Sequence, residues 1–149
     1  MTAIEFMTVG KKLSNAYAGL CAPICRKYGI NQTGFDILLF LANNPQYNTA
    51  QDVCRTRGIK SGIASVTVES LINSGFILRE DDPSDRRKHR LVPTEKAKDV
   101  ISEGQKMQKY FTCVLKDGIT EDELAAFARM TEKVTENIAK LGKEKQSNV

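Results

Sequence analysis

Apolar residues recur at helical spacing along most of this chain, with one change of period near the middle. Over residues 3–27, Phe6, Leu13, Tyr17, Leu20 and Ile24 stand three, four or seven apart on one stripe and predict a helix. Pro23 lies inside this stretch and is expected to kink or divide it, and Gly29 ends it. Asn31 is a candidate N-cap for a second helix through Phe35, Ile37, Leu38, Leu39 and Leu41. Its consecutive apolar residues predict burial on more than one side, so it reads as the scaffold helix, stopped at Asn43-Asn44-Pro45. Thr49 and Asp52 have the capping spacing and open a short helix to about Arg57, where Gly58 stops it. Ser61 is the expected cap of the next helix, which runs to about Ser74 and ends at Gly75. Ala64, Val68 and Leu71 form its core side, leaving Ser61, Gly62, Ser65, Val66 and Glu69 opposite.

The period then changes. Phe76-Ile77-Leu78-Arg79 reads as a short strand, and Arg90-Leu91-Val92 can return beside it. Thr94 follows as the expected cap of a long helix to about Lys116, with Val100, Ile101, Met107, Phe111, Val114 and Leu115 on its stripe. Asp117-Gly118 breaks that helix, and Thr120 with Glu123 makes a capping box for the last one. There Leu124, Phe127, Thr131, Val134, Ile138 and Leu141 recur close to a 3.5 repeat. Residues 143–149 are polar and expected to fray. Two short helices around a glycine-containing turn, then strand, turn and strand, are the order of a winged helix-turn-helix.

Charge sharpens this picture. The 149-residue chain carries a formal +4. Ten basic and six acidic residues fall between Arg55 and Lys98, and the remainder balances at 12 of each. All of the excess therefore lies on the proposed head, which favours a polyanionic partner over an ordinary solvated surface. Arg86, Arg87, Lys88 and Arg90 crowd the turn of the hairpin, a tip suited to phosphate contacts or to a narrow minor groove. On the second short helix, Lys60, Ser61 and Gly62 present a small, bare N-terminus. Ser65, Val66 and Glu69 extend that face toward base edges. Ile63 and Val66 have a plainer reading as further core.

The motif Asp-Pro-x-Asp-Arg-Arg over Asp82–Arg87, followed by Leu91 and Thr94, resembles the wing of the MarR family of transcription regulators. The likeness in length and helix order extends over essentially the whole chain, with Pro93 and Ala97 as departures from the usual aliphatic and glycine. The resemblance implies a mainly α fold with a small β-hairpin wing: a winged helix-turn-helix head over 31–95, a linking helix over 94–117, and dimerisation helices over 1–30 and 117–149. It implies a homodimer that occludes a pseudo-palindromic operator on double-stranded DNA and is released by a small-molecule ligand or by oxidation. Asp85 then bridges Arg87 and keeps the wing in shape, and Arg86 or Arg87 enters the minor groove. The apolar stripes agree with a dimer, because Phe6, Leu13, Leu124, Phe127, Val134, Ile138 and Leu141 have no evident partner within so small a head. The usual ligand pocket would be lined here by Tyr17, Leu20 and Phe35, which are also ordinary core residues.

Cys21 and Cys25 stand one helical turn apart and could form a thiol sensor, as in the branch of the family that senses peroxide. That branch carries its cysteine near the start of the first helix, where Met7 stands here, so packing is the favoured reading of both thiols, and of Cys54 and Cys113. With a single histidine, His89, on the wing, no metal site or cofactor is expected. No phosphate loop, nucleophile–base set or carboxylate pair points to an enzyme. No apolar run approaches the ~20 residues of a membrane span and no signal segment is visible, so a cytoplasmic protein is expected. A dimeric module whose basic hairpin binds an acidic protein is the alternative from another functional class, separable by salt-dependent, sequence-selective binding to duplex DNA.

Overall fold

The computed structural model describes residues 2–85 and 87–144, with side chains as far as Lys140. Arg86 and the Leu141 side chain, both expected to be functional, lie outside the described residues. The chain divides into two compact units, 1–111 and 112–149, a boundary inside the expected linking helix.

Helix α1 spans Ala3–Tyr28 and is capped by Thr2 and Glu5 reciprocally. It is not divided at Pro23. A proline removes one rung of the helix, but Pro23 and Gly19, whose carbonyl would have received it, are both exposed. Water can take the freed carbonyl while Cys21 and Cys25 stay buried on the other side. Helix α2, Gln32–Asn43, starts at Asn31, whose side chain accepts the Gly34 N–H at 2.7 Å. Its Phe35, Ile37, Leu38, Leu39, Phe40 and Leu41 are all buried, as a central scaffold helix requires.

Helix α3, Ala50–Arg57, opens with the Thr49–Asp52 capping box and ends at Gly58 with φ of 63°. Helix α4 spans Ser61–Asn73. Ser61 is its first helical residue rather than its cap; Lys60 occupies the cap position and makes no side-chain capping bond. Strands β1, Ile77–Asp81, and β2, His89–Pro93, pair antiparallel, with Leu78 opposite Val92 and Glu80 opposite Arg90. The hairpin is seated on the head by three backbone and hydroxyl contacts. The Leu91 N–H donates to Asn48 O at 2.8 Å, and the Thr94 N–H to Phe76 O at 3.0 Å. The Thr94 hydroxyl donates to Gly75 O at 2.6 Å.

That last bond changes the start of the next helix. With its hydroxyl turned to Gly75, Thr94 leads into a 3-10 turn over Glu95–Ala97, and helix α5 begins only at Lys98 and runs to Lys116. Gly104 of α5 is buried against Leu39 and Phe35 of α2. Val100, Ile101 and Met107 belong to the same apolar cluster, which is continuous from α1 through the base of the hairpin. Helix α6, Glu121–Glu144, opens with the expected Thr120–Glu123 box. No helix among the described residues is long and apolar enough to cross a membrane.

Candidate nucleic-acid interface

Packing of α4 decides which residues it can offer. Ala64, Thr67, Val68 and Leu71 are buried against the head, and the Thr67 hydroxyl is turned inward to Ile63 O. The remaining face carries Ser61, Gly62, Ile63, Ser65, Val66 and Glu69, all exposed. Val66 is 73% exposed and Ile63 53%, so neither is the core residue that its apolar character would otherwise make it. Burying one of them would rotate Val68 out of the core, since one rigid helix cannot present both faces inward. A Cβ at Gly62 would meet nothing within 4 Å, which leaves the start of α4 open to close approach. Lys60, at the cap position, is exposed as well.

Beside α4 stands the wing. Arg87 and Lys88 are exposed on its loop and form no ion pair among the described residues. Asp85 does touch Arg87, but by accepting the backbone N–H at 3.0 Å and not by pairing with the guanidinium. Its backbone carbonyl accepts the Lys88 N–H at 2.9 Å. Asp85 therefore shapes the loop through the main chain and leaves the Arg87 side chain outward.

Two charged residues singled out in the sequence have partners instead. Arg90 is paired with Asp82 at 3.0 Å, and Glu69 of α4 is paired with Arg79 of β1. Read from the sequence, Asp82, Arg79 and Arg55 had no site role: Asp82 stood only as the first residue of the wing motif and Arg79 only as the end of a strand. The Asp-x-Ser spacing of Asp82 and Ser84 is a local turn signal that could have found the first. Arg55 and Arg79 join Arg87, Lys88 and His89 around a cleft of about 490 Å³ between the wing and the N-terminus of α3. Asp52 is the acid in that lining, and it is engaged by Thr49 and Arg55.

The residues of the expected ligand pocket are placed differently from one another. Phe35 is wholly buried in the core, whereas Tyr17 and Leu20 are partly buried on α1. The Tyr17 ring packs on Phe111 at 5.4 Å between centroids, and its hydroxyl accepts from Gln108 Nε2 at 3.0 Å. Burial pushes the Tyr17 hydroxyl up to about 12. Burial also raises the Cys21 thiol to about 11 and moves Cys25 upward, with the nearby Asp36 charge adding to both. Such thiols are weak nucleophiles at neutral pH. Cys54 is partly buried, but Cys113 is exposed, so packing does not account for it.

Comparison with known proteins finds a family likeness over part of the chain. Residues 28–88 match the model of the MarR family. The resemblance that the wing motif carries thus extends from the end of α1 to the wing loop. The MarR-like fold reaches further. A chain from Listeria monocytogenes, assigned to the MarR family of transcriptional regulators and complexed with 26mer DNA, is 21% identical with a TM-score of 0.78. That likeness covers 94% of this chain and 91% of the other. The transcriptional regulator PA3341 is 23% identical with a TM-score of 0.79, over 91% of this chain and 98% of its own. MarR from Oenococcus oeni PSU-1 is 19% identical with a TM-score of 0.76, over 88% and 98%. At these identities the likeness is one of fold: a mainly helical chain with a two-stranded wing.

Proposed function

We propose that this chain is a transcription regulator that binds double-stranded DNA sequence-specifically, with α4 in the major groove and the wing along the backbone or minor groove. The observation that carries the reading is the exposed face of α4 beside two wing cations that form no ion pair among the described residues. Apolar Ile63 and Val66 suit thymine methyls, while Ser61, Gly62 and Lys60 let the helix start approach phosphate. Arg87 and Lys88 supply sequence-independent attraction. The DNA complex of the Listeria chain supports the same assignment by likeness of fold.

The regulator acts as a homodimer. Phe6 and Leu13 on α1 and Phe127, Val134 and Ile138 on α6 are exposed apolar residues, Phe127 by 63% and Ile138 by 61%. Leu124 is partly buried. Apolar side chains in such number are costly to leave in water, and a second copy of the chain covers them. Two heads then read a pseudo-palindrome, with half-sites about one helical turn apart. Repression by occlusion, relieved by a small-molecule ligand, is the mechanism that the MarR resemblance implies.

Selection of binding sites from random duplexes, followed by a salt titration on the selected and a scrambled sequence, tests the reading. An enriched inverted repeat with steep salt dependence is the expected result. Equal binding to both duplexes, or none, would reject it and leave the basic hairpin as a surface for an acidic protein.

A further inference from the structure

We propose that Asp36 is a proton-operated latch between α2 and the turn joining α3 to α4, and that protonating it loosens the reading helix. The consequence for DNA rests on the function proposed above; the latch itself does not.

The geometry is that of an acid between two partners. Asp36 Oδ2 lies 3.6 Å from Nη2 of Arg57, in the last turn of α3. Oδ1 is buried and has no hydrogen-bond partner among the described residues. On the α1 side the carboxylate faces Tyr17, Cys21 and Cys25, and the Tyr17 hydroxyl is itself held by Gln108 of α5. On the α3 side a cleft of about 340 Å³ brings Asp36, Arg57, Lys60 and Thr33 together beside Ile63. Asp36 is thus the charged group common to the helix-turn-helix and to the α1–α5 contact.

A carboxylate with one buried, unpartnered oxygen is costly, and Arg57 and Tyr17 offset that cost only in part. Burial lifts the Asp36 carboxyl above its ordinary range, against the pull of Arg57 and Tyr17. Taking a proton from solvent changes both sides at once. The carboxyl gains an O–H that can donate to the Tyr17 oxygen, and Arg57 loses its counter-charge. Arg57 immediately precedes Gly58, which ends α3, and Lys60 follows at the cap position of α4, so releasing Arg57 frees the turn that aims the reading face.

Asp36→Asn imposes the neutral state at every pH. Near pH 7.5 this variant should bind the selected duplex about three- to tenfold more weakly than the native protein, the effect of removing one side of a partly buried pair. The gap should narrow as pH falls into the range where the raised Asp36 carboxyl takes up its proton in the native protein. The wing, with His89 beside Asp81, is the same in both proteins, so the gap between them isolates Asp36. Arg57→Met should show the neutral-pH loss as well, and it carries the test if Asp36→Asn does not fold. Amide protection at Gly58, Ile59 and Lys60, taken relative to the intrinsic exchange rate at each pH, reads the latch without DNA and should fall in both variants and in the native protein at acid pH. Faster exchange with no duplex selected would overturn the DNA reading and support the latch. Native-like exchange and binding in both variants from pH 5 to 8 would overturn the latch.

Discussion

Arg90 of β2 donates its Nε–H to Asp82 Oδ2 at 3.0 Å across the root of the wing loop. Asp82 Oδ1 at the same time accepts the Ser84 backbone N–H at 2.8 Å and the Ser84 hydroxyl. A backbone bond from Asp82 N–H to Lys88 O closes the loop. One carboxylate therefore fixes both the turn and the returning strand, and holds the cation beside it in place.

The Ser84 bonds, and then Arg90, hold the Asp82 carboxyl well below its ordinary range. For an acid depressed in this way the stabilisation is full above the ordinary carboxylate pKa and is lost as pH falls through the lowered value. Amides of Ser84 and Lys88 should stay protected down to about pH 4, the ordinary carboxylate range, and open only in stronger acid. Asp82→Asn should open them at neutral pH while α2 remains protected. Hydrogen exchange followed residue by residue distinguishes these outcomes; unchanged loop protection in the variant would remove Asp82 from this role.

Gly104 sets the spacing of α5 on α2. A Cβ there would lie 2.6 Å from Leu39 Cδ2 and 2.9 Å from Phe35 Cζ, both in the fully packed core. Gly104→Ala gains about 1 kcal/mol of helix propensity. Overpacking costs about 1–3 kcal/mol, so a net loss of about 1 kcal/mol is expected. Urea denaturation measures it, and a stabilised variant would mean the two helices are not this close.

Wing and helix should fail in different ways when altered. Arg87→Ala removes an unpaired cation and should weaken binding to every duplex, lowering the salt slope by about one. Its backbone bond to Asp85 survives the change, so the loop should keep its shape. Val66→Ala should leave the salt slope alone and relax preference at one base pair in each half-site. Titrations on matched and scrambled duplexes decide, and an equal effect of Val66→Ala on both would take α4 out of the base-reading role.

Ile138→Glu places a charge among the exposed apolar residues of α6. Buried at a subunit interface it would be unpaired, which typically costs several kcal/mol, so monomer or insoluble protein should result. Sedimentation of the native protein provides the control. A native monomer that stays well folded would show that these side chains need no second copy.

Much of this architecture was legible in the sequence because its signals are local. The Asn31, Thr49–Asp52 and Thr120–Glu123 caps join groups three residues apart, and those helices begin where the spacing placed them. Helical periodicity likewise separated Ala64, Val68 and Leu71 from the exposed face of α4. The basic loop was visible as composition. Partner choice was not. Glu69 was read as a base reader and Arg90 as a phosphate contact, and only the fold shows that Arg79 of β1 lies against the one and Asp82 against the other. Thr94 was read as a helix cap because Gly75, 19 residues away, is not its neighbour in sequence. Asp36 drew no notice at all, since nothing in its own stretch reveals that one oxygen is buried without a donor and the other faces Arg57 across the helix-turn-helix. Spacing along a chain determines which groups share a face; a charge is neutralised, stranded or left free only by what the folded neighbours bring within a few ångströms of it.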